Sequence, residues 1–118
     1  TRDKQSNKPI AQARLAHAQV RIDNVRQQLL AIAAQVNELG CAGEPCPEKE
    51  HARLRLHIAR TVHEARNIVT DVVSASGASA HFLDNPLQRI QRDINTVIAH
   101  TVFDLDISAE TYGRLLLD

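Results

Sequence analysis

From Leu15 to Leu39 the apolar side chains recur at steps of three and four without a break: Leu15, Ala18, Ile22, Val25, Leu29, Ile32, Val36 and Leu39. No strand has that period. On an α-helix it draws one narrow seam, the kind that packs against neighbouring helices. The pattern predicts a helix from about Pro9 to Leu39, ended by Gly40, with Gly43-Glu44-Pro45-Cys46-Pro47 making the turn. A seam this long needs a partner of similar length.

The next segment supplies one. From about Pro47 to Ser76 the main stripe is Leu54, Ile58, Val62, Ala65, Val69 and Val72, and Leu56, Ala59, Ile68 and Val73 widen it, so a second neighbour covers the flank. Gly77 is the stop, and Ala78 to Asp84 forms a loop. Asn85 then reads as an N-cap with Pro86 at the first helical position, opening a third helix to about Val102. Its stripe is Leu87, Ile90, Ile94, Val97, Ile98 and Thr101. A short fourth helix runs from about Ser108 to Leu117, with Ser108 as its candidate cap. Two long helices joined by a tight turn lie antiparallel, and the shorter pair completes an all-α, up-and-down four-helix bundle over residues 1–118. The brief last helix makes it lopsided, so partner subunits are expected to cover its ends.

Charge and composition exclude several classes. Fourteen basic and fourteen acidic residues cancel, so no overall field favours nucleic acid or an anionic membrane. Phe82, Phe103 and Tyr112 are the only aromatics, too few for a platform that stacks bases. The apolar runs are far shorter than a membrane span. A cytoplasmic helical domain is the expectation. Cys41 and Cys46 stand alone in the turn, without the second pair that a zinc site needs, and read as loop thiols.

The polar residues of the third helix are the candidates for chemistry. Gln88, Arg89, Gln91, Arg92 and Asp93 crowd into six positions, and Arg89, Asp93, Thr96 and His100 fall at steps of four, three and four on a side away from the apolar stripe. Two readings fit: a solvated face carrying a weak salt bridge, worth about 0.3 kcal/mol, or a contact with a cofactor or another subunit. Asp84 and Asn85 read as caps, and His81 and Phe82 either border a pocket or anchor the loop. His51, His57 and His63 recur every six residues, which sets successive rings about 240° apart, so they read as structural. His17, beside the seam, reads as a boundary residue. Glu48-x-x-His51 is a single unit of the kind that di-iron bundles use in pairs, so no metal centre is expected.

Gly77, Pro86-Leu87-Gln88-Arg89-x-x-Arg92-Asp93, His100 and the terminal Tyr112-Gly113-Arg114 together resemble the C-terminal domain of the acyl-CoA dehydrogenase fold. The branch they look most like contains the two-component flavin-dependent monooxygenases. The opening segment, Lys8-Pro9-Ile10 and Gln12-x-Arg14-Leu15-Ala16, is more loosely similar to the start of that domain. The resemblance implies a reduced flavin, FMN or FAD, supplied by a separate flavin reductase. Oxygen would form a C4a-hydroperoxide that hydroxylates a small organic substrate. This chain would supply homotetramer contacts and one wall of the site, as part of a larger enzyme, and would be inert alone.

Residue by residue, the resemblance makes His100 the catalytic candidate, sets Arg89, Asp93 and Asn95 toward the flavin, and places His81 and Phe82 at the substrate pocket. Asn95 stands where the branch often carries a histidine and cannot act as a base. In the dehydrogenases the loop corresponding to residues 78–84 carries a catalytic glutamate; here there is none, and Asp84 is the only shorter substitute. Arg2 stands where the family has a basic residue that reaches a neighbour's flavin, but without the aromatic-glycine pair that follows it there. An acyl-CoA dehydrogenase is the alternative enzyme, and a stand-alone helical interaction module the alternative of another class. The start at Thr1, without Met, fits a fragment or a processed product.

Overall fold

The computed structural model describes residues 8–77 and 85–118. In chain order these form α1 (Pro9–Cys41), α2 (Glu48–Ser76), α3 (Pro86–Ile98), a 3-10 turn (Thr101–Phe103) and α4 (Leu105–Leu117). The all-α architecture is the one the periodicities require.

Local chemistry sets the ends. Pro9 occupies the first turn of α1, where its missing N–H is no loss. Gly40 does not stop this helix. It continues to Cys41, the Ala42 N–H closes back on the Glu38 carbonyl at 3.0 Å, and the reversal falls at Gly43, whose φ of +69° suits a residue without Cβ. Gly77, with φ +70°, does end α2 as expected. The Asn85 side chain caps α3 by accepting from the Leu87 N–H at 2.9 Å. α3 stops at Ile98, about a turn short of the expected Val102, because the chain tightens into the 3-10 turn. α4 begins at Leu105, three residues early, because Asp104 rather than Ser108 is its cap: Asp104 Oδ1 accepts from the Ile107 N–H at 2.9 Å.

Packing is organised around α2. α1, α3, the 3-10 turn and α4 all lie against it, while contacts between the other pairs of elements are marginal. The burial pattern of α2 explains this. At about 100° per residue, Ala52, Ala59 and Val73 lie on one side and Leu54, Thr61 and Ile68 nearly half a turn round, and all six are buried. In the flank read as a widening of the stripe, Ala59, Ile68 and Val73 are buried, whereas the main stripe is half-buried except at Leu54. α1 serves one side and the C-terminal elements the other.

α1 shows the complementary pattern. Half of its seam, Ala18, Val25, Ile32 and Leu39, turns toward α2. The other half is open: Leu15 is 72% exposed, Ile22 39%, Leu29 47% and Val36 50%. The molecule is accordingly long and loosely closed, with principal extents of 57 × 27 × 23 Å.

Candidate functional site

The α1–α2 hairpin is held by polar rungs along the edge of its apolar contact. Arg21 is the first: its Nε donates to Glu64 Oε1 at 2.9 Å and its Nη1 to Asp71 Oδ2 at 2.6 Å. Gln28 Nε2 and His57 Nδ1 meet at 3.1 Å. Arg53 then donates to Gln35 Oε1 and grips Glu50 through Nε at 3.0 Å and Nη2 at 2.5 Å. The rungs advance by sevens on α1, at 21, 28 and 35, and run backwards on α2 through 64, 57 and 53, the signature of one antiparallel register. Hydrogen bonding to Asp71, then to Glu64, raises the Arg21 guanidinium above its ordinary value. The hydrogen bond from Arg53 holds the Glu50 carboxyl below the usual carboxylate range, and Arg53 is raised in turn. Part-exposed pairs of this kind add little to stability; their directional bonds fix which residues of the two helices stand opposite one another.

Beside these rungs a cleft of about 520 Å³ opens between α1, α2 and the start of α4, lined by Asn24, Gln28, His57, His63, Glu64 and Leu105 among others. From its wall His63 reaches across 40 residues of sequence, and its Nε2 lies 2.9 Å from the Phe103 carbonyl oxygen. A carbonyl has no proton to give, so Nε2 is the donor.

The sequence candidates divide. Arg89 and Asp93 do pair along α3, but at 4.0 Å and with side chains 81% and 73% exposed, so their link is weak. Asn95 is exposed on the same helix. Thr96 turns its hydroxyl back to the Arg92 carbonyl at 2.9 Å. His100 is not on the helix with them. It lies beyond the end of α3, precedes the 3-10 turn, where its carbonyl accepts from the Phe103 N–H, and sets its ring edge-on to Phe103 with centroids 6.5 Å apart at 71°. The four-membered polar face expected on one helix is therefore a three-membered face with His100 displaced onto the next element. His81, Phe82, Asp84 and Arg2 lie outside the described residues.

Spacing could have found the α1 rungs, since Arg21, Gln28 and Gln35 keep the period of the seam beside them. The His63–Phe103 bond leaves no such trace.

Among the described residues no group of three His, Cys, Asp or Glu side chains is placed to hold a metal ion, and no helix is long and apolar enough to cross a membrane. Among the described residues, two buried side-chain atoms, Arg55 Nε and Ser108 Oγ, have no hydrogen-bond partner. The described residues do not by themselves fit a whole flavin. Arg89 and Asp93 stand in solvent, and the clefts are open grooves rather than an enclosed site. One wall is what α3 and the 3-10 turn can offer.

A bundle centred on one helix, with a polar α3 edge and a histidine at its end, defines a class. The chain belongs to the acyl-CoA dehydrogenase C-terminal domain family, whose model, "Acyl-CoA dehydrogenase, C-terminal domain", matches residues 1–105. Within that class it is 31% identical, over 94% of its length, to the flavin-dependent monooxygenase oxygenase subunit HsaA of Rhodococcus jostii (strain RHA1), 29% of which it covers. The crystal structure of the HsaA monooxygenase from M. tuberculosis superposes with a TM-score of 0.81 at 27% identity, over 94% of this chain and 29% of that one. XiaF from Streptomyces sp., solved with FADH2 and glycerol, superposes at 0.86 over 96% of this chain and 28% of that one, and at 23% identity shares the fold alone. The chain thus spans less than a third of the length of the curated relatives it matches.

Proposed function

We propose that this chain is the C-terminal helical part of a monooxygenase that uses reduced flavin, FMN or FAD, to hydroxylate a small organic substrate. The observation that carries the reading is the match to HsaA across 94% of the chain at 31% identity. That relative is named an oxygenase subunit, which supports a separate flavin reductase as partner. In the complete enzyme the flavin supplies the oxygen chemistry. Arg89, Asp93 and Asn95 on α3, with His100 just beyond its end, contribute to one wall of the site, and His81 and Phe82, outside the described residues, are the candidates for contact with the substrate. His100 is the candidate general acid or base there. The uncovered half of the α1 seam, Leu15, Ile22, Leu29 and Val36, supports the homotetramer contact, because these apolar side chains stand exposed at regular spacing on one face.

The test is to purify the product of the native gene, weigh it intact and record its flavin absorbance. A chain several times longer that binds reduced flavin and consumes oxygen when a reductase is added is the expected result. A native product of 118 residues that binds no flavin would leave a helical interaction module in its place.

A further inference from the structure

The 3-10 turn that follows α3 has little of its own to hold it. It is three residues long, Thr101 and Val102 are exposed, and turns of this type have poor internal hydrogen-bond geometry. Its last residue is nevertheless fixed from both sides. The Phe103 N–H donates to the His100 carbonyl at 2.9 Å, and the Phe103 carbonyl accepts from His63 Nε2 at 2.9 Å. The Phe103 ring, half-buried, stands edge-on to the His100 ring. Immediately after it, the Asp104 N–H closes on the Thr101 carbonyl at 3.1 Å and Asp104 caps α4. His63 belongs to α2, the helix against which every other element packs. Among the described residues it is the one side chain of α2 shown hydrogen-bonded to the segment between α3 and α4.

We propose that His63 is a positioning residue: by holding the Phe103 carbonyl it sets where the His100 imidazole stands at the end of α3. The inference rests on the reading of His100 as a site residue given above. A hydrogen bond is directional, whereas the apolar contacts of the turn are not, so this bond decides the orientation of the Phe103–Asp104 peptide. Through the Phe103 N–H and ring, it also decides the seat of His100. The sequence assigned His63 a structural part; the structure says which part.

The experiment uses the native protein with His63→Leu, which keeps bulk and removes the donor, and His63→Gln, whose Nε2 can donate from nearly the same place. Hydrogen exchange of the Phe103 and Asp104 amides is read first, with α1 amides as the control for folding. His63→Leu is expected to speed exchange in the turn about fivefold, the equivalent of one hydrogen bond, with α1 unchanged; His63→Gln restores protection.

The second readout is hydrogen peroxide release after mixing with chemically reduced FAD and oxygen, in which FADH2 gives two electrons and two protons to O2. His63→Leu and His100→Asn should each change that rate about threefold to tenfold, and the double variant no more than either alone. Unchanged exchange in His63→Leu overturns the proposal, and so do effects on the rate that multiply as for independent sites. If His100→Asn leaves the rate untouched while His63→Leu still loosens the turn, the role given to His100 fails and the tether itself stands.

Discussion

Asp104 and Ser108 are both residues that cap helices, and only one of them caps α4. Asp104 Oδ1 takes the Ile107 N–H, whereas Ser108 sits one turn inside the helix, 2% exposed, with its hydroxyl unpaired. The two substitutions should therefore differ in sign or size. Asp104→Ala is expected to lower stability by about 1 kcal/mol, the usual loss for a cap. Ser108→Ala removes a buried hydroxyl that has no partner and is expected to leave stability unchanged or raise it by up to about 1 kcal/mol. Thermal unfolding of the two variants side by side checks this; equal losses would return the cap to Ser108. Residue type could not choose between them, since each precedes apolar residues at acceptable spacing. The choice was made by where the 3-10 turn delivers the chain, and a bond from His63, 40 residues away, holds that turn.

At the scale of elements, α1 presents two apolar faces drawn from one seam. The half at 18, 25, 32 and 39 is turned to α2, and the half at 15, 22, 29 and 36 stays open. An apolar face repeated at steps of seven along one helix is suited to another helix. Ile22→Glu combined with Leu29→Glu should leave helix content unchanged, because both side chains are exposed within the chain. The same pair should split the native assembly, since a charge buried between subunits lacks a partner. Sedimentation of the native protein decides it, and an assembly of unaltered mass removes α1 from the interface. The seam itself was legible in the sequence as a period, but its division into a half turned to α2 and a half left open was not. Period reports that a face is apolar; it carries no label for what covers it.

The whole molecule is too extended for its length. Its radius of gyration is 18.1 Å, against about 13.5 Å for a compact domain of this size. Its accessible surface is 8767 Å², against about 6,400 Å² for a folded monomer of the same mass. Six apolar residues, Ile32 on α1 and Ala52, Leu54, Ala59, Ile68 and Val73 on α2, make up the buried apolar core of the described residues. Expressed alone, the 118 residues are expected to elute from gel filtration without flavin absorbance after incubation with reduced FAD. Retention of one flavin per chain would show that the bundle holds the cofactor unaided.

Four helices, their order, the start of α1 at Pro9, the cap at Asn85 and the stop at Gly77 could all be read from residues alone, because they depend on periodicity and on the backbone preferences of single residues. The polar edge of α3 was visible for the same reason. The displacement of His100 from that edge, the gathering of every element on α2, the rungs that set the hairpin register and the hold of His63 on Phe103 were settled in three dimensions. Each depends on contacts between residues far apart in the chain, and such contacts leave no mark on local sequence until packing brings the partners together.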